Sequence, residues 1–236
     1  MRIAITGEGT LAAATRAGCA SCFTVVTHGP IDLLWICEDM PLNSTAAEWF
    51  FERIDHYLVR EPFKTPVLIS SQIPLGTIVQ LEREHPERSF AYSPENLRVA
   101  TATEDFAHQA RIVIGRRNTF HDSLWHTLVA PFTSRLILTD PETAELIKHT
   151  LNAFLGLQIA FINEIGRIAV KAGGDMTTVA EALRTEDRIS PRAPLMAGAP
   201  FGKGHLARDI VGLTQTARNQ QLYTPILSAI LSSNNA

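Results

Sequence analysis

The stretch PETAELIKHTLNAFLGLQIAFINEIGRIAVKAGGD, residues 141–175, sets how the rest of the chain is read. Asp140 stands before it as an N-cap and Pro141 takes the first helical position, while Gly173-Gly174 stops the run, so one long helix is expected from Pro141 to about Ala172. Apolar residues fall almost all round it (Leu151, Phe154, Leu155, Leu157, Ile159, Phe161, Ile162, Ile165), which marks a helix buried on several sides. Lys148 and Asn152 are four apart, so an ammonium and an amide share one face and can grip a substrate oxygen. An isolated pair of this kind is more often a solvated lysine beside an asparagine. Its neighbours decide the matter.

Ahead of the helix, short β-prone runs alternate with helical ones. Strands are expected at Phe23–Val26, Asp32–Cys37, Val67–Ser71, Phe90–Ser93, Arg111–Gly115 and Arg135–Thr139, and helices at Ala46–Leu58, Thr77–Glu84 and Ser123–Val129. This alternation predicts a mostly parallel α/β sheet. A further helix is expected at Met176–Arg184, and no internal repeat or low-complexity linker interrupts the chain.

The amino terminus reads as a strand (Arg2–Thr6), a turn (Gly7-Glu8-Gly9) and an alanine-rich helix from Leu11 to Ala17. A G-x-G-x-x-A at such a junction is the dinucleotide fingerprint, which puts Gly7, Gly9, Thr10 and Leu11 forward as residues for NAD or NADP. Two features oppose it. Glu8 sets a carboxylate close to where phosphates would lie, and Thr27 and His28 stand where an acid should hold the adenosine ribose. Only five residues separate the second and third expected strands, too few for a parallel crossover. Gly7 and Gly9 then have a second reading, as packing residues alone.

The stretch from Pro141 resembles the central helix of the UDP-glucose/GDP-mannose dehydrogenase family, with Pro141, Glu145, Lys148, Asn152, Asn163 and Glu164 at its recurring positions. Asp187-Arg188-Ile189-Ser190 followed by PFGKGHLARD (residues 200–209) resembles its active-site loop, AYSPENLRVATATEDFAHQARIVIG (91–115) its proline-glutamate segment, and ISSQIPLGT (69–77) the strand and turn before that. The resemblance implies an incomplete Rossmann-like α/β domain, residues 1–139, followed by a helical dimerisation domain of the 6-phosphogluconate dehydrogenase type, residues 140–236. It implies a homodimer through the helix carrying Phe154 and Phe161. The spacing between the second and third strands looks like the loss of a helix and a strand relative to the family, which cuts back the adenosine half of the cofactor pocket.

By the same resemblance Lys148 and Asn152 match the pair that stabilises a developing oxyanion. Glu95 matches a glutamate that handles a water or proton, and otherwise reads as a turn carboxylate. Asp209 matches an aspartate at the start of the next helix, and otherwise reads as an exposed acid or one paired with Arg208. Asn96, Leu97, Phe201 and Gly202 fall at substrate-binding positions. His205 stands where the family has the cysteine that takes the aldehyde as a covalent thiohemiacetal; imidazole can serve as a base but cannot replace a thiolate in those steps. Gln72, Val99 and Met40-Pro41 are further departures, and the family's carboxy-terminal nucleotide-sugar domain is not expected here.

The 236 residues and 45% hydrophobic content suffice for a real core. A net charge of -3 without a long basic run points to a small-molecule substrate and away from nucleic acid. No apolar run is expected to span a bilayer. Three cysteines, Cys19, Cys22 and Cys37, suggest a reducing cytoplasm; C-x-x-C at 19–22 lacks a second ligand pair for a metal, so buried small residues are expected. Three functions follow: a single hydride transfer between an alcohol and a carbonyl of a small or sugar-type substrate, using Lys148, Asn152, and His205 or Glu95; cofactor-independent proton transfer by an isomerase or lyase; or non-catalytic binding.

Overall fold

The computed structural model describes residues 1–38, 46–95, 97–202 and 204–235, and only the backbone of Ala46, Ala47 and Val99. The chain divides into two compact units, Met1–Lys148 and His149–Ala236. The first contains β1 (Arg2–Thr6), α1 (Gly9–Ala20), β2 (Thr24–Val25), β3 (Leu33–Ile36), α2 (Ala46–Leu58), β4 (Val67–Ile69), α3 (Thr77–Glu84), β5 (Phe90–Tyr92), α4 (Ala102–Ala107), β6 (Ile112–Arg116), α5 (Asp122–Val129) and β7 (Leu136–Thr139). It also holds the opening turns of α6 (Pro141–Ala172). The strands form one sheet in the order β2-β1-β3-β4-β5-β6-β7, parallel throughout except between β5 and β6.

Strand alternation builds a core on each face. Ile3, Ile5, Leu33, Trp35, Leu68, Ala91, Ile112 and Ile114 share one cluster with Leu11 and Ala12 of α1 and Trp125 of α5. Their strand neighbours Ala4, Leu34, Ile36, Val67, Ile69, Phe90, Tyr92 and Val113 meet Phe50 and Ile54 of α2 and Ile78 of α3 on the other. Each fully buried aliphatic side chain of this kind contributes roughly 1.5–3 kcal/mol relative to exposure. The Rossmann-like α/β reading therefore describes the first unit.

The five-residue problem has a geometric answer. Both β2 and β3 run parallel to β1, on opposite sides of it, and no helix joins them. β2 pairs only with Arg2 and Ile3, and the chain then turns back at Gly29 (φ +89°). Asp32 N donates to Arg2 O (2.8 Å), Arg2 N to Asp32 Oδ2 (2.7 Å) and Arg2 Nε to Pro30 O (2.8 Å), which pins the return beside the first residues of β1. A crossover must recover the length of the strand it leaves, and a two-residue strand asks for very little. In consequence β2 ends level with Ile3, whereas β1 runs on to Thr6, about 10 Å further at strand rise.

Asp140 caps α6, accepting from Thr143 N (2.7 Å) and Thr143 Oγ1 (2.8 Å). Gly173, at φ +72°, ends it, with Gly174 N donating to Ala169 O (2.9 Å). The second unit continues with α7 (Met176–Arg184), capped by Asp175, then α8 (His205–Asn219) and α9 (Pro225–Asn234). Its core is small: Ala153, Ala160, Ile210 and Ile230, with Leu157, Phe201 and Leu213 packed around them. Gly156 and Gly166 admit the close approach, since a Cβ there would stand 2.7 Å from Ile210 Cδ1 and 2.4 Å from Ala197 Cβ.

Phe154, Phe161 and Ile168, seven apart on α6, are more than half exposed, so one apolar stripe lies uncovered along the helix. By length and composition α6 is also apolar enough to cross a membrane, contrary to the expectation from sequence. Gln158, Asn163, Glu164 and Arg167 interrupt its apolar residues, which is why a search for uninterrupted apolar runs passed over it. Cys19 and Cys37 are buried as expected, but Cys22 is exposed. Burial, and secondarily Cys22, pushes the Cys19 thiol up to about 12.

Candidate functional site

Glu95 follows β5 through Ser93-Pro94, and Lys148 lies two turns into α6. The Lys148 ammonium, only 7% exposed, donates to the Glu95 carbonyl and lies 4.0 Å from Glu95 Oε2; Glu95 Oε1 accepts the Leu97 N–H. A buried ammonium must be paired, and this one has both a carbonyl and a carboxylate. One turn earlier, Glu145 accepts from Gly76 N (2.6 Å) and Ile78 N (2.9 Å) and so anchors the start of α3. That family-like glutamate has a structural task within the first unit.

In the second unit, Asn152 Nδ2 donates to Asp209 Oδ2 at 2.6 Å, and His149 Nδ1 lies 3.4 Å from Asp209 Oδ1. Asp209 is 1% exposed, so the reading as an exposed helix-face acid is wrong: α8 turns it inward to the α6 amide and imidazole. A buried carboxylate held this way orients Asn152 and leaves that amide a second N–H for an oxygen. His149 was missed in the sequence. Its signal was the three-residue spacing from Asn152, which places both on one face.

His205 is the first residue of α8 and is exposed. Arg208 Nη2 lies 3.2 Å from its Nδ1, and because a guanidinium can only donate, Nδ1 would accept in that contact. Leu97 is half-buried and packs on the sheet core, and Phe201 packs in the helical core while Asn234 bonds both its N–H and its carbonyl (2.9 Å each). A Cβ at Gly202 would meet nothing within 4 Å. Asn96 and Met40-Pro41 lie outside the described residues, as does the side chain of Val99.

The turn after β1 fits half of a dinucleotide. Gly7 and Gly9 have φ of +106° and +89°, α1 starts at Gly9 without a side-chain cap, and the fully buried Ala12 closes the helix onto the sheet. Thr10 is exposed in that first turn and Leu11 is core. The adenosine half does not fit, because β2 stops short of the edge where its acid would stand. Gly7 also has a packing reason: a Cβ there would stand 1.9 Å from Cys37 O.

Sequence reading also missed the group beside this turn. Glu38, 2% exposed at the carboxyl end of β3, accepts from Arg53 Nη2 (2.9 Å), Arg53 Nε (3.2 Å) and the Tyr57 hydroxyl. The guanidinium lies 5.4 Å from the Trp49 ring centroid and 5.3 Å from that of Tyr57. Burial, then the bond to Glu38, pushes Tyr57 up to about 12. Arg53 and Tyr57 are four apart on α2. Their meeting with Glu38 depends on packing that no local spacing shows.

Comparison with known proteins agrees with this frame. The model for the UDP-glucose/GDP-mannose dehydrogenase family, central domain, matches residues 142–236. The chain is 32% identical over 193 residues to a UDP-glucose 6-dehydrogenase of Rickettsia bellii, covering 79% of this chain and 44% of the relative. To UDP-glucose 6-dehydrogenase YwqF of Bacillus subtilis it is 35% identical over 191 residues, covering 78% and 42%. It thus spans less than half the length of these relatives. Its fold is similar to that of a UDP-glucose dehydrogenase from Pyrobaculum islandicum, with a TM-score of 0.87 at 22% identity over 99% of this chain and 68% of that one. A Mycobacterium tuberculosis 3-hydroxyisobutyrate dehydrogenase also superposes, with a TM-score of 0.75 at 13% identity over 97% and 90%. Sheet, long helix and sequence lead to one conclusion: the chain belongs to the UDP-glucose/GDP-mannose dehydrogenase family.

Proposed function

We propose that the chain is a divergent nucleotide-sugar-dehydrogenase-like oxidoreductase that interconverts an alcohol and a carbonyl of a small or sugar-type substrate in a single two-electron step. The observation that carries this reading is the buried Lys148, paired with Glu95 and one helical turn from an Asn152 that Asp209 orients. NAD or NADP, when bound, would supply the hydride acceptor or donor. Gly7, Gly9, Thr10 and Leu11 would hold its diphosphate through the amino end of α1.

Lys148 and Asn152 would bind the reacting oxygen, the ammonium opposing its negative charge and the amide donating a hydrogen bond. Glu95, or the His205 imidazole, would take the hydroxyl proton in the oxidative direction. The reading includes a homodimer in the cytoplasm, with the stripe through Phe154 and Phe161 facing a second copy rather than a bilayer or nucleic acid. The test is a fluorescence titration with NADH and NADPH: saturable binding supports the reading, and absence of binding to both removes it.

A further inference from the structure

A cavity of about 400 Å³ in the second unit lies apart from the groups assigned above to the reaction. Asn163 and Arg167, one turn apart on α6, line one side of it. Asn163 is 9% exposed, and its Oδ1 accepts the Gly198 N–H at 2.8 Å. A backbone N–H requires the oxygen, so this bond settles the amide orientation and leaves Nδ2 as a donor. Nδ2 has no partner among the described residues, and neither does the Arg167 guanidinium. Glu164, the acid nearest in sequence, accepts instead from Ser233 Oγ. One side of the cavity therefore offers unspent donors and a positive charge, while Val170, Met176, Ala197 and Pro200 supply apolar wall.

A guanidinium beside an amide N–H suits a carboxylate, whose two oxygens can take a forked donor and a third hydrogen bond. The apolar wall suits a hydrocarbon body, and the volume lies in the range of small-molecule sites. We propose that this cavity binds a small organic acid, its carboxylate on Arg167 and Asn163 and its apolar body against Val170, Met176, Ala197 and Pro200. Inorganic phosphate shares the charge but has nothing to place on that wall.

Isothermal titration of the whole chain with sodium benzoate, and separately with inorganic phosphate, tests this. One benzoate should bind per chain, with phosphate at least about tenfold weaker. Arg167→Ala and Asn163→Asp should each weaken benzoate by about tenfold or more; Asn163→Asp keeps an acceptor for Gly198 N, and unchanged circular dichroism would show that the fold is intact. Three results would overturn the proposal: no saturable benzoate binding to the unaltered chain, equal binding of phosphate, or benzoate binding that both variants leave untouched. Sedimentation run alongside identifies a fourth. If Arg167→Ala lowers the assembled mass while benzoate never binds, the cavity is a contact between protein chains and not a ligand site.

Discussion

Lys148 shows what a single residue decides. Its spacing from Asn152 was legible, but its burial and its bonds to Glu95 come from the meeting of α6 with the segment after β5. Lys148→Ala should slow turnover of an accepted alcohol or carbonyl substrate by about a hundredfold or more, about 3 kcal/mol, the usual loss for a positioned oxyanion donor. Circular dichroism should be unchanged, and full turnover would remove Lys148 from the site. Gly7 makes the opposite kind of prediction. With φ at +106° and Cys37 O 1.9 Å from an added Cβ, Gly7→Ala should destabilise the first unit by about 1–3 kcal/mol, read as a lower urea midpoint, whether or not any cofactor binds. The inward turn of Asp209 and the Glu38, Arg53 and Tyr57 group could not be read from the chain, because each depends on a partner 15 or more residues away.

At the scale of elements, β2 carries the most consequence. Sequence alone pointed to a deletion between the second and third strands, and only the register shows how the sheet closes over it: a two-residue strand beside Ile3, a turn at Gly29 and a return pinned by Asp32. The end of a full-length second strand normally carries the acid that tells NAD from NADP. Here the strand ends too early to present one, so any cofactor affinity should discriminate little. NADH and NADPH dissociation constants are expected within about threefold of each other; a preference of a hundredfold would show that other residues read the ribose. The long helix was the most legible element, since a cap, a proline and a glycine stop are all local signals. Strand ends depended on pairing partners and shifted by a residue or two.

For the whole molecule, the exposed stripe of Phe154, Phe161 and Ile168 favours a second copy of the chain. Sedimentation should give twice the mass of one chain, and Phe161→Glu should shift the assembly toward monomer; a monomer at every concentration removes the dimer. The second expectation is chemical. His205 stands at the start of α8 where a thiolate would be required, and Cys19, Cys22 and Cys37 all belong to the first unit. Incubation of UDP-glucose with NAD should therefore yield no uronate. Acid product with two reduced cofactors per turnover would overturn the argument.

What the sequence by itself determined are the properties carried by local pattern. The α/β class follows from alternating strand and helix periods, the 141–172 helix from its cap and stop, and the family kinship from residues close together in the chain. Tertiary structure alone decided which charges are buried and paired: Lys148 with Glu95, Asp209 with Asn152, and Glu38 with Arg53 and Tyr57. It also decided how far β2 reaches and which side of α6 stays uncovered. The division has one physical cause. Helix and turn preferences arise within a few residues, whereas burial and ion pairing depend on distant segments brought together against the entropy of the chain.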